Sequence, residues 1–114
     1  MKGTIDTNLI LEKALYKALR ELGLLDKNID LLGIKSSEFY GRMSFKDKYV
    51  AINFIKIARS LSVLFNDDID QIRQWFHSEN QSFKGYSPSD YCLKGRLKVR
   101  EMCEYLEELW VSIE

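Results

Sequence analysis

The sequence predicts an all-α fold, a compact bundle of about seven helices, and three observations carry that expectation. Apolar residues recur at three- and four-residue steps along most of the chain. No stretch alternates polar and apolar residues for long enough to suggest a strand. The single proline in 114 residues sits where a helix would begin rather than where one would break. The length suits one compact domain, and 46% hydrophobic with 30% charged residues is too apolar for disorder.

The first helix is expected over about Asn8 to Leu22, with Leu11, Ala14, Leu15, Ala18, Leu19 and Leu22 on one stripe. Thr7 can cap its start, and Gly23 can take the left-handed turn that ends it. A short second helix follows from Asp26 to Gly33. A third opens at Ser36 or Ser37 and carries Phe39, Tyr40 and Met43. The fourth, about Phe45 to Phe65, is the spine of the bundle. Ser44 and Asp47 have capping-box spacing, and two apolar stripes leave only a polar strip near Asn53, Lys56, Arg59 and Ser60. Asp67 is expected to cap a fifth helix carrying Ile69, Ile72, Trp75 and Phe76. A polar loop over 77–86 leads to Ser87-Pro88 with Asp90, which reads as N-cap, proline at N1 and acid at N3. That short helix ends at Gly95. The last helix puts Val99, Met102, Cys103, Leu106, Leu109, Trp110 and Ile113 on one face. Phe65-Asn66-Asp67 is the one plausible seam, and the regions 1–60 and 61–114 are expected to share one core.

Charge is balanced overall but not along the chain. Residues 1–60 carry 11 Lys or Arg against 7 Asp or Glu; residues 61–114 carry 6 against 10. Two solvated faces of opposite sign would explain this, and so would two different partners. Uncharged runs reach only seven residues, as at Tyr49–Ile55, so no membrane span is expected. The N-terminal residues lack the apolar core of a signal peptide, and two cysteines suit a reduced cytoplasmic setting.

Catalytic constellations are missing from the pattern. His77 is the lone histidine and reads as a helix-terminal or surface group. Cys92 and Cys103 lack zinc-ligand spacing, and Cys103 lies on an apolar stripe. No phosphate loop, nucleophile elbow or metalloprotease motif occurs. The expectation is a binding protein, with no cofactor and no metal.

Two segments could bind. Asp26–Met43 has helix-turn-helix layout, and its second helix would offer Lys35, Ser36, Tyr40 and Arg42 to DNA. Only two cations there leave a small phosphate-contact term, and the same layout is also a common packing solution. The second segment is the loop 77–87, where Phe83 and Tyr86 flank Lys84-Gly85. Tyr86 suits a partner anchor. Phe83 could serve there too, or fold back beneath Trp75 as a lid on the core.

From Leu61 onward the chain resembles the toxin-binding domain of the Xre/MbcA/ParS antitoxins. The likeness rests on Leu61 and Phe65, then Trp75-Phe76, Asn80, Phe83, Gly85, Ser87-Pro88, Asp90 and Gly95. It covers about 50 of the 114 residues. Residues 1–60 resemble the helix-turn-helix half of the same antitoxins more weakly, through Leu31-Leu32-Gly33-Ile34 and Arg42. The resemblance implies a small dimeric inhibitor without catalysis of its own. Its target would be a cognate enzyme encoded nearby, typically a RES-domain toxin that consumes NAD. Full-length members also repress their own operon. The implied contact surface comprises Trp75, Phe76, Asn80, Phe83, Lys84, Gly85, Tyr86, Ser87 and Asp90, with Trp110 as a further candidate. Trp75 and Pro88 match positions that look structural. A second reading keeps the fold and changes the target to a secreted effector, such as a ubiquitin deamidase or transglutaminase. The glutamate-rich Glu101–Glu108 is of the kind that type IV secretion systems recognise.

Overall fold

The computed structural model describes residues 7–24 and 45–112, and every described element is helical. The order is α1 (Thr7–Glu21), α2 (Phe45–Leu64), α3 (Ile69–Phe76), a single 3-10 turn (Gln81–Phe83), α4 (Pro88–Cys92) and α5 (Arg96–Ser112). The helices expected over Asp26–Gly33 and Ser36–Met43, and the cap at Ser44, lie outside the described residues. So do the side chains of Thr7 and Asp47. Among the described residues no helix is long and apolar enough to cross a membrane.

The stripe on α1 buries Leu15, Ala18, Leu19 and Leu22 against α2. On α2 the face made by Val50, Ala51, Phe54, Ile57, Ala58 and Leu61 is buried, packing against α1, α3 and α5. Ile72 and Phe76 of α3 join the same core, as do Val99, Met102, Cys103 and Leu106 of α5. The core therefore runs without a break across residue 60. Each fully buried Phe or Leu contributes about 2–3 kcal/mol relative to an exposed one, so this shared core is the main stabilising term.

The spine is not covered all round. Tyr49, Ile52 and Val63 are exposed on α2, while Asn53, which belongs to the expected polar strip, is buried. The Asn53 side-chain nitrogen has no hydrogen-bond partner among the described residues. Its position one step from the Val50–Ile57 stripe carries it into the packed edge, despite its polarity.

Helix ends are finished by specific backbone geometry. At α1, Leu24 N donates to Leu19 O at 2.8 Å and Gly23 N to Arg20 O at 3.1 Å, the double bond pattern of a Schellman cap. Gly23 supplies the required positive φ of 73°. Side chains from α3 and its C-cap add further partners at this end, Arg20 O accepting a second bond. Arg73 Nη2 donates to Arg20 O at 2.7 Å, and His77 Nε2 lies 2.7 Å from Leu22 O. The partial negative charge of a helix C-terminus favours such donors.

Between α2 and α3, Asn66 and Asp67 are both left-handed, with φ of 53° and 61°. The N-cap of α3 is Asp68, whose Oδ1 accepts from Gln71 N at 3.2 Å, and not Asp67 as expected. The αL turn that ends α2 uses one more residue than the sequence suggested, and the acidic run Asp67-Asp68 can supply a cap from either position.

The cap at Gly23 leaves little room for a side chain. A Cβ there would sit 3.1 Å from His77 Nε2 and 3.4 Å from Arg73 Cγ, on top of the positive φ. Gly23→Ala should therefore lower unfolding stability by about 1–2 kcal/mol in urea titration. An unchanged midpoint would show that the α1–α3 junction is loose.

Candidate functional site

The loop between α3 and α4 is tightly braced. Asn80 begins the 3-10 turn, its Oδ1 accepting from Ser82 N at 2.9 Å. Phe83 N and Gly85 N both donate to Asn80 O, and Lys84 N donates to Gln81 O. Tyr86 N donates to Phe83 O, while Asn80 N donates to Tyr86 O at 3.1 Å and closes the ring. Every backbone N–H from Ser82 to Tyr86 is thus engaged inside the loop. Two adjacent positive φ angles make the tip, 58° at Lys84 and 87° at Gly85. The glycine is required by conformation alone, since a Cβ there would touch nothing within 4 Å. The lysine is held in a region that costs a non-glycine residue about 1 kcal/mol.

Phe83 anchors this ring. It is buried, with its centroid 6.3 Å from Trp75, 5.2 Å from Tyr91 and 5.0 Å from Tyr105. Trp75 and Tyr105 meet it edge-on, at 85° and 71°, an arrangement favoured by the ring quadrupoles. Three helices thus hold one loop side chain. Ser87 N-caps α4, its Oγ accepting from Asp90 N at 3.0 Å, with Pro88 in the first turn as its sequence position predicts.

The expected contact residues now separate by what they touch. Phe76 and Phe83 are core, and they offer no area to a partner: α3 turns Phe76 inward, and the cluster just described takes Phe83. Trp75 is half-buried against Phe83, which is the lid arrangement left open by the sequence. Asn80, Gly85 and the buried Ser87 shape the backbone. Lys84, Tyr86, Asp90 and Trp110 are exposed. No described contact joins Trp110, near the far end of α5, to the loop. Lys35, Ser36, Tyr40 and Arg42 lie outside the described residues.

Beside Tyr86 the structure adds residues that the sequence did not single out. Lys94 Nζ stands 3.9 Å above the Tyr86 ring, and Lys98 Nζ lies 5.2 Å from the Tyr91 centroid. Tyr91 Oη donates to Glu101 Oε2 at 2.7 Å, and Lys98 pairs with the same oxygen at 3.2 Å. The Lys98–Glu101 spacing of three was readable on the last helix. Its junction with Tyr91 and the Lys94–Tyr86 stack required the α4–α5 turn to be folded.

Electrostatics follow these contacts. The Tyr91 phenol is raised from its ordinary value of 10.0, chiefly by its bond to Glu101. Glu101 is lowered from 4.5, first by Tyr91 and then by Lys98. Burial, and then the charge of Glu107, pushes the Cys103 thiol up to about 11; burial pushes Cys92 up as well, so both are poor nucleophiles at neutral pH. Among the described residues no group of three His, Cys, Asp or Glu could hold a metal ion. The arrangement suits recognition: a rigid tip with an amphipathic aromatic, a lysine stacked on it and acids alongside.

The signs of the two shifts set a pH test. The raised Tyr91 contributes stability that is present below the ordinary tyrosine value and lost as pH rises through its folded value. The lowered Glu101 contributes stability present above the ordinary carboxylate value and lost as pH falls through its own. Both contributions are small because the pair is solvent-screened. Glu101→Gln should move the NMR titration of Tyr91 down toward 10.0, and an unmoved titration would refute the bond.

No protein-family model matches the chain, and no curated protein matches it.

Proposed function

We propose that the chain is a non-enzymatic protein inhibitor that docks its α3–α4 loop into the mouth of a cognate enzyme and shuts the active site. One observation carries the reading: the ring 80–86 is braced through its own backbone and through buried Phe83, while Tyr86 stays 45% exposed beside Lys84 and Lys94. A preformed loop loses little conformational entropy on binding, so its exposed aromatic can act as an anchor. The resemblance to the Xre/MbcA/ParS antitoxins points to a bacterial, cytoplasmic antitoxin as the setting. A helix-turn-helix-like region 1–60 would then pack on the toxin-binding-like region 61–114, with a NAD-consuming RES-type toxin as the partner. The exposed glutamates along α5 favour a second reading, in which the same loop inhibits a secreted effector enzyme such as a ubiquitin deamidase or transglutaminase. Binding of DNA rests on Lys35, Ser36, Tyr40 and Arg42 and draws only on the sequence.

The test is inhibition of the enzyme encoded beside this chain, assayed as NAD consumption for a RES-type toxin or as deamidation for an effector. Equimolar chain should abolish turnover. Tyr86→Ala or Lys84→Glu should weaken inhibition about 30-fold or more, the scale of an interface hot spot, with the helical signal unchanged. Full turnover in the presence of excess chain contradicts the proposal.

A further inference from the structure

The basic residues of the acidic half are not spread along it. Of the six Lys and Arg in residues 61–114, five fall within 84–100, where Asp90 is the only acid. Most acids of that half stand elsewhere, Asp67, Asp68 and Asp70 around the start of α3 and Glu104, Glu107 and Glu108 along α5. Residues 84–101 thus carry net +3 inside a half that carries −4. Folding gathers three of these cations on the face of the docking loop. Lys94 Nζ lies 3.9 Å from the centroid of exposed Tyr86, and Lys98 Nζ lies 5.2 Å from that of Tyr91. Glu101, lowered first by Tyr91 and then by Lys98, also feels the charge of Lys84, so the lysine at the loop tip stands on the same side. Two of the three ammonium groups are already placed, Lys94 by an aromatic ring and Lys98 by Glu101 at 3.2 Å. Such placement reduces the entropy lost when they meet a partner.

We infer that the protein surface met by this face is acidic: the cognate enzyme carries carboxylates around the mouth of its cleft, and Lys84, Lys94 and Lys98 meet them as Tyr86 enters. This inference rests on the inhibitory reading and names the chemistry of its partner. A lysine ammonium is a compact point charge with three donors, suited to carboxylates arriving from several directions. Opposite potentials speed the encounter and fix its orientation, so the lysines act mainly on the rate of association. Nucleic acid suits the face less well. Single strands bind by stacking bases on free aromatic faces. Here Lys94 sits over the Tyr86 ring, while Tyr91 packs on Phe83 at 5.2 Å with Lys98 beside it.

The test is surface plasmon resonance of the full chain against the enzyme encoded beside it, at rising salt. The association rate of wild type should fall about tenfold between about 50 and about 500 mM NaCl. Lys94→Glu/Lys98→Glu should weaken affinity about 30-fold, mostly through slower association. Lys94→Gln/Lys98→Gln should lose less and show a shallower salt dependence, which a merely structural role for these side chains would not produce. Lys56→Glu/Arg59→Glu makes the same change in net charge on the exposed side of α2 and should stay within about threefold of wild type. An oligothymidylate strand should not compete with the enzyme. Binding indifferent to salt, a glutamine pair as damaging as the glutamate pair, or an α2 pair equally damaging overturns the acidic surface and leaves the inhibitory reading standing. Competition by the oligothymidylate overturns it too and assigns the face to nucleic acid. A wild-type chain that does not bind the enzyme at all removes the inhibitory reading and this inference with it. Should the glutamate pair lose its helical circular dichroism, the glutamine pair and the wild-type salt dependence decide.

Discussion

Phe83 is the constraint on which the candidate site depends. Its ring belongs to an otherwise polar loop, yet it is buried among Trp75 of α3, Tyr91 of α4 and Tyr105 of α5. Because those three rings come from three helices, the loop's position is coupled to the packing of the whole C-terminal part. The closed backbone ring from Asn80 to Tyr86 keeps that position from dissipating in local motion. Exposed Tyr86 and Lys84 inherit a fixed geometry from a residue that a partner cannot touch.

The same logic holds further down the molecule. α3 carries Trp75 toward the loop, and α3 is itself fixed to the end of α1 by Arg73 and His77 on the carbonyls of Arg20 and Leu22. Gly23 permits this approach because it has no Cβ to meet the imidazole. The histidine that could have suggested chemistry is thus occupied in joining two helices. A core shared across α1, α2, α3 and α5 then ties the loop's support to the packing of the described helices.

Much of the helical order is legible in the residues themselves. The stripe on α1, the Val99–Leu106 part of the stripe on α5 and the Ser87-Pro88-x-Asp90 signal are local. Local periodicity and capping chemistry suffice to read them, whereas Leu109 and Trp110 of the expected α5 stripe are exposed. What escapes is non-local or degenerate. Asp67 and Asp68 are equally good caps on paper, and only the two-residue left-handed turn at Asn66-Asp67 chooses the second. Asn53 looks like surface by type and is buried by position. In the site, Tyr86 and Lys84 stand out as an exposed aromatic and cation in a polar loop. Lys94 over Tyr86, and Tyr91 on Glu101, join residues eight and ten apart through a turn whose geometry the sequence leaves open. Phe83 was ambiguous for a physical reason: an aromatic in a polar loop can anchor inward or outward with equal propensity, and tertiary packing decides.

Amide hydrogen exchange across Ser82–Tyr86 tests the braced loop most directly, in wild type and in Phe83→Ala. The account predicts protection in wild type comparable to the adjoining helices. In the variant that protection should collapse within the loop, while the amides of α1 and α2 remain protected. Rapid exchange at these amides in the wild-type chain, or protection that survives removal of the ring, would contradict it.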